Sequence, residues 1–108
     1  MIHEFEQVAN VADLPAGSLR TVQTRRGQRV CLIHREDGIL AISAVCSHKH
    51  FPLAEGTLLP GDRLQCAWHG AQFDLHTGAA LHGPAVDAIP IYEVEVRDGV
   101  VFVRDRQP

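Results

Sequence analysis

Two short motifs of metal-ligating residues constrain this chain more than any other feature of its sequence. The first is Cys46-x-His48, the second is Cys66-x-x-His69, and seventeen residues separate them. Histidine is costly to bury, and thiols gather mainly where they share a metal or a disulfide. The chain has three cysteines, an odd number that fits a disulfide framework poorly. The two motifs therefore predict a metal site.

Within each motif the two side chains can reach one point in space. Cys46 and His48 are two residues apart, so in extended backbone they point to the same side. Cys66 and His69 are three residues apart, around a turn that ends in Gly70. Together the motifs offer two thiolates and two imidazoles. One tetrahedral zinc ion could take all four, or a [2Fe–2S] cluster could take the thiolates on one iron and the imidazoles on the other.

The spacing of the motifs favours the iron–sulfur cluster. Zinc hairpins usually begin with two cysteines separated by two to four residues, and Cys-x-His is narrower than that pattern. Similar ligands split between two loops suit two irons, because each loop then gives one ligand to each iron. Structural zinc in a protein-binding module is the alternative that these residues leave open.

Length and composition predict one globular domain, residues 1–108, with 45% apolar residues. A net charge of −3 makes a nucleic-acid partner unexpected, and Arg25-Arg26 fits a solvated hairpin end. No apolar run reaches the length of a transmembrane helix, so no membrane partner is expected. The first ten residues lack the basic and apolar regions of a signal peptide. We therefore expect a cytoplasmic protein with reduced thiols.

Outside the Cys/His stretch, the periodicity is that of short antiparallel strands. Two hairpins are indicated by Asp-Gly turns at Asp37-Gly38 and Asp98-Gly99. No window shows a helical period of 3.6 residues. The predicted fold class is therefore all-β. The predicted strands are His3–Ala9, Ser18–Thr24, Arg29–His34, Ile39–Ser43, Ile91–Val96 and Val100–Val103.

The Cys/His stretch interrupts this strand pattern. Its short strand candidates are Arg63–Cys66 and Ala71–Leu75. A tight turn at His76–Gly78 follows, which we expect Asp74 to cap through hydrogen bonds to the backbone. We predict a loop-rich, cluster-binding subdomain of about forty residues, 45–85, inserted into the β scaffold.

The segment from Cys46 to Ala85 resembles the Rieske iron–sulfur family. It reads "CSH", seventeen residues, "CAWHG", then "FDLHTG" and "GPA". Within that family it is most similar to the ferredoxins of bacterial ring-hydroxylating dioxygenases. The resemblance implies one Rieske [2Fe–2S] cluster per chain, with Gly83-Pro84 as a third loop that shields it. The implied ligands are Cys46 and Cys66 on one iron, and His48 and His69 on the other.

The same resemblance implies an electron carrier rather than an enzyme. A ferredoxin reductase of the FAD/NADH type would supply one electron, and a terminal ring-hydroxylating oxygenase would receive it. A Rieske oxygenase itself would need a second domain with a 2-His-1-carboxylate iron site, for which we expect no room. The alternative is the small subunit of an NADH-dependent nitrite reductase, a family that commonly loses cluster ligands. We expect a monomer.

Residues around the predicted ligands have two interpretations, docking and packing. An electron carrier needs a small docking patch, because its contacts are short-lived. Leu53 is expected to roof the cluster, and Cys31 to be a core thiol. His50 and His82 fit solvated loop positions. The predicted docking residues are His48, His69, Phe51, Pro52 and Trp68.

The residues near the second motif predict a low reduction potential. High-potential Rieske proteins of respiratory complexes resemble this motif but add a cysteine in each loop, and these two form a disulfide. They also place a serine and a tyrosine where hydroxyls donate to sulfur. This chain has neither added cysteine, and the hydroxyl positions hold Ala71 and Phe73. Because these side chains cannot stabilise the reduced form, we predict a potential on the order of −150 mV.

Overall fold

The computed structural model describes residues 4–46, 52–67, 70–82 and 87–106. Within these ranges the chain forms ten β-strands and two single-turn 3₁₀ helices, Val11–Asp13 and Leu53–Glu55, which confirms the all-β prediction. No helix in these ranges is long and apolar enough to cross a membrane. The strands are β1 (Glu6–Asn10), β2 (Leu19–Gln23), β3 (Arg29–Arg35), β4 (Gly38–Ser43), β5 (Thr57–Leu59), β6 (Arg63–Gln65), β7 (Gln72–Asp74), β8 (Ala80–His82), β9 (Ile91–Arg97) and β10 (Val100–Asp105).

A six-stranded antiparallel sheet forms the scaffold, in the order β1-β10-β9-β4-β3-β2. Both predicted hairpins are present, and the Asp98-Gly99 turn has the positive φ that a two-residue hairpin turn needs. The first hairpin turns one residue earlier than predicted, at Glu36-Asp37, because Gly38 begins β4 and pairs with Arg35. Gly38 has φ 123°, while Asp98 and Gly99 have φ 50° and 76°. β1 and β2 are the edge strands of this sheet. β4 and β9 are neighbours in this sheet, joined at the Ala41–Tyr92 pair.

A second, four-stranded sheet, in the order β5-β6-β7-β8, is inserted in the chain between β4 and β9. The sequence predicted β6 and β7 but not β5 and β8, so this region has more regular structure than expected. Each of its strands has three residues, which is too short to display an alternating pattern. β5 and β8 form because β6 and β7 offer backbone edges on which they can pair.

Two hydrophobic cores cover the two faces of the large sheet. The inter-sheet core lies between the two sheets. The barrel core lies on the other face of the large sheet. Both edge strands pack partly buried residues against it, Val8 from β1 and Val22 from β2, so the sheet curls around this core. Residues 30–33 of β3 are all buried, because their alternate side chains enter different cores. The inter-sheet core is formed by Cys31, Ile33, Ile42, Cys46, Leu53, Leu64, Cys66, Ala71, Phe73, Leu75 and Ile89. The barrel core is formed by Leu14, Val30, Leu32, Ala41, Val101 and Val103.

A charged cluster also connects the two sheets. Asp62 lies in the turn between β5 and β6, and its Oδ2 accepts hydrogen bonds from Arg35 Nη1 at 2.7 Å and His76 Nε2 at 2.8 Å. The hydrogen bond from His76, together with the charge and hydrogen bond of Arg35, lowers the pKa of the Asp62 carboxyl. Nothing in the sequence singled out His76 as a functional or structural residue. Its partner lies fourteen residues away, so only the folded chain reveals the contact.

Candidate metal centre

Cys46, the first predicted ligand, lies at the base of a loop that leaves the end of β4. Antiparallel pairing of Val45 with Pro52 closes this base. The N–H of Leu53 also donates to the carbonyl of Ala44 at 2.9 Å. Cys46 follows the paired Val45 directly, so its backbone is held by the closed end of the loop.

Cys66, the second predicted ligand, lies at the base of the loop between β6 and β7. Its N–H donates to the carbonyl of Ala71 at 2.7 Å, directly beyond the Gln65–Gln72 pair of the small sheet. Gly70 has φ 72°, as expected for the residue that ends the turn. Each predicted cysteine ligand therefore occupies the anchored base of its own loop.

Both cysteines are 0% exposed and belong to the inter-sheet core. All three cysteines of the chain lie among the described residues, and none forms a disulfide. Two buried thiols beneath two loops match the thiolate half of the predicted donor set. His48 and His69 lie outside the described residues. In the part of the chain that the structure describes, no three His, Cys, Asp or Glu side chains are grouped to hold a metal ion.

The third cysteine, Cys31, lies in the same core on β3. Burial raises the pKa of its thiol to about 12. Its position in a packed strand agrees with the predicted role as a core residue.

The residues predicted to roof the cluster and to lower its potential are described in part. Leu53 is fully buried, as a residue that roofs the cluster would be, and Pro52 is exposed. Ala71 and Phe73 are fully buried in the inter-sheet core with Cys66. His82 ends β8. The predictions for His50, Phe51, Trp68, Gly83 and Pro84 lie outside the described residues.

The turn after β7 anchors the chain segment that follows the predicted third loop. As predicted, Asp74 caps its own turn: Oδ1 accepts hydrogen bonds from the N–H groups of His76 at 2.7 Å and Thr77 at 3.0 Å. Gly78 then takes φ 78°, and its carbonyl accepts the N–H of Ile89 at 2.8 Å. A Cβ atom on Gly78 would lie 2.0 Å from the Ile89 carbonyl oxygen, so only glycine fits here.

These features define a small all-β protein in which an inserted sheet buries two cysteines at the bases of two loops. The family profile of the Rieske [2Fe-2S] domain matches residues 4–93. The chain belongs to this family, and its cofactor is a Rieske-type [2Fe–2S] cluster.

Individual relatives agree with the family match. The chain is 34% identical over 96 residues to the 3-phenylpropionate/cinnamic acid dioxygenase ferredoxin subunit of Photorhabdus laumondii, covering 89% of this chain and 90% of that protein. A chain in the complex of reduced oxygenase and oxidized ferredoxin of carbazole 1,9a-dioxygenase superposes with a TM-score of 0.84 at 28% identity, covering 96% of this chain and 97% of that one.

A third similarity concerns the fold alone. A Mycobacterium tuberculosis protein described as the small subunit of an NADH-dependent nitrite reductase superposes with a TM-score of 0.85. The superposition covers all of both chains, but the sequences are only 21% identical. The β architecture is therefore shared by proteins of different function.

Proposed function

We propose that this chain is a one-electron carrier that takes electrons from a flavin-dependent, NADH-oxidising reductase and passes them to a terminal ring-hydroxylating oxygenase. The observation that carries the proposal is the burial of Cys46 and Cys66 together, at the bases of two loops in a Rieske domain. The whole chain, residues 1–108, acts as a single domain, with residues 45–85 as its cluster-binding subdomain.

Four residues would hold the cofactor in this proposal. Cys46 and Cys66 bind one iron as thiolates, and His48 and His69 bind the other as neutral imidazoles. When bound, the cluster accepts and releases one electron. The protein keeps both thiolates away from water in the inter-sheet core, and the hydrogen-bonded loop bases fix where they lie.

The partners are proposed from the relatives and from the residues around the predicted ligands. The related ferredoxin subunit of Photorhabdus laumondii belongs to a dioxygenase, and the carbazole system supplies a solved complex of ferredoxin and oxygenase. The docking residues would be His48, His69, Phe51, Pro52 and Trp68, and of these Pro52 is described and exposed. A role as a nitrite reductase subunit is less supported, because that likeness lies below 25% identity.

Analysis of the purified protein tests the cofactor and its ligands. Protein isolated without air should contain two irons and two acid-labile sulfides per chain, and its reduced form should give the EPR signal of a mixed histidine–cysteine cluster. Cys66→Ala should lose the iron and sulfide and the EPR signal, whereas Cys31→Ala should keep all of them. One zinc per chain with no sulfide would refute the proposal.

Electron transfer is tested separately, with the loaded protein and an NADH-dependent ferredoxin reductase. With the loaded wild-type protein present, NADH should reduce a ring-hydroxylating oxygenase through the reductase. With the apo-protein in its place, the oxygenase should stay oxidised. The same assay with the sirohaem subunit of a nitrite reductase as acceptor tests the alternative. Faster reduction of that subunit than of the oxygenase would assign the chain to the other system.

A further inference from the structure

We propose that Gly56 sets the spacing between the two ligand loops, a positioning role that rests on the proposed function. Gly56 directly follows the 3₁₀ turn Leu53–Glu55, on the returning limb of the loop that begins at Cys46. The next three residues form β5, which pairs with β6. Gly56 thus lies between the returning limb of the first loop and β5. The partner of β5 is β6, the strand that leads into the second ligand loop.

The backbone of β6 approaches Gly56 too closely for any side chain. A Cβ atom at position 56 would lie 2.3 Å from the carbonyl oxygen of Gln65 and 3.1 Å from that of Leu53. Both atoms belong to the backbone, so neither can turn aside as a flexible side chain can. Gln65 immediately precedes Cys66. A side chain at position 56 would therefore push the first loop away from β6, the strand that directly precedes Cys66.

The conformation of Gly56 does not itself require glycine. Its φ of −83° and ψ of −165° describe extended backbone that any residue adopts. Gly99, by contrast, has φ 76°, and a Cβ atom there would meet nothing within 4 Å. Gly99 is thus favoured by its backbone angle, whereas Gly56 is required because of the short distance between two segments.

Hydrogen bonds connect Gly56 to the base of the first loop. Its N–H donates to the carbonyl of Leu53 at 3.0 Å, and the N–H of Leu53 donates to Ala44 at 2.9 Å. Ala44 lies two residues before Cys46, and the side chain of Leu53 is fully buried. A displacement at Gly56 is therefore passed through two short backbone contacts to the segment that carries Cys46.

The displacement would exceed the tolerance of a metal site. The Gln65 carbonyl would have to move by more than about half an ångström before a methyl group was accommodated. Metal–ligand distances are held within about 0.2 Å of their preferred values. If the two ligand loops moved apart by about half an ångström, they would bind the two irons with altered geometry or incompletely.

The test compares Gly56→Ala with Gly99→Ala, each purified as the holo-protein without air. Gly56→Ala should lower the iron and sulfide content at least twofold, and the remaining centres should have shifted EPR g values and an altered midpoint potential. Gly99→Ala should lose thermal stability because of its positive φ, yet keep the wild-type iron content, g values and potential. A purely structural role for Gly56 would leave the g values and the potential unchanged.

Three further outcomes are distinguishable. Wild-type metal content, g values and potential in Gly56→Ala would overturn the positioning role while leaving the proposed function intact. If Gly56→Ala loses its iron, amide hydrogen exchange decides: protection retained in β3 and β9 supports the role, and protection lost throughout the large sheet overturns it. Absence of iron and sulfide from the wild-type protein would refute the proposed function instead.

Discussion

Replacing Ala71 by serine and Phe73 by tyrosine should raise the reduction potential of this protein. Both residues are fully buried in the inter-sheet core, which also contains Cys46 and Cys66. Neither native side chain can donate a hydrogen bond. We expect hydroxyls at these positions to donate toward sulfur, as the resemblance to high-potential Rieske proteins implies, and such bonds stabilise the more negative, reduced form.

The size of the effect follows from the strength of such hydrogen bonds. A hydrogen bond to a charged group contributes about 1.5 kcal/mol, and more of this is retained where water is excluded. For a one-electron couple, about 1.4 kcal/mol corresponds to roughly 59 mV. Each hydroxyl should therefore raise the potential by about 60 mV, and the pair by about 120 mV, from a starting value on the order of −150 mV.

Protein-film voltammetry at pH 7 measures this change directly, with EPR as a check that the centre is intact. Ala41→Ser is the matched control, because it places a hydroxyl in the barrel core, on the other face of the large sheet. The control should lower the free energy of unfolding by about 1–3 kcal/mol without moving the potential. A folded, fully loaded double variant with the wild-type potential would show that the reasoning about these two positions is wrong.

Three further predictions concern stability and cofactor binding. Gly78→Ala should lower the free energy of unfolding by more than about 2 kcal/mol, because it adds a steric clash to an unfavourable φ. Gly17 also has a positive φ, 81°, but open space around it, so Gly17→Ala should lower the free energy of unfolding by about 1 kcal/mol. Urea unfolding measures both changes. The lowered pKa of Asp62 means that its stabilisation is complete above pH 3.8 and is lost as pH falls through its folded pKa. Unfolding between pH 2 and 6 should show this loss in the wild type and not in Asp62→Asn. Cys46→Ala should contain no bound iron, and Cys31→Ala should keep it, as measured by metal analysis; iron retained in Cys46→Ala would contradict the ligand assignment.

Much of the large sheet could be predicted from the sequence, because its hairpins are local. Strand-forming residues on both sides of a short turn favour pairing within a few residues of it, as in β3–β4 and β9–β10. The small sheet could not be predicted as fully. β5 and β8 have three residues each, and what makes them strands is a neighbouring edge rather than their own pattern.

The candidate site was likewise predicted only in part from the sequence. The motif spacing alone predicted Cys46 and Cys66 as ligands, and the structure buries both in one core. Nothing in the sequence indicated that Gly56 must lack a side chain. Its backbone conformation is ordinary, and the Gln65 carbonyl that excludes a side chain comes from another strand.

The sequence by itself thus determined the donor set and the strands of the local hairpins, because ligand chemistry and turn preference act over short stretches of chain. Only the tertiary structure decided how closely the loop bases approach and how Asp62 connects the two sheets. Those features depend on distances between atoms far apart in the chain, which are fixed when the sheets pack around their shared core.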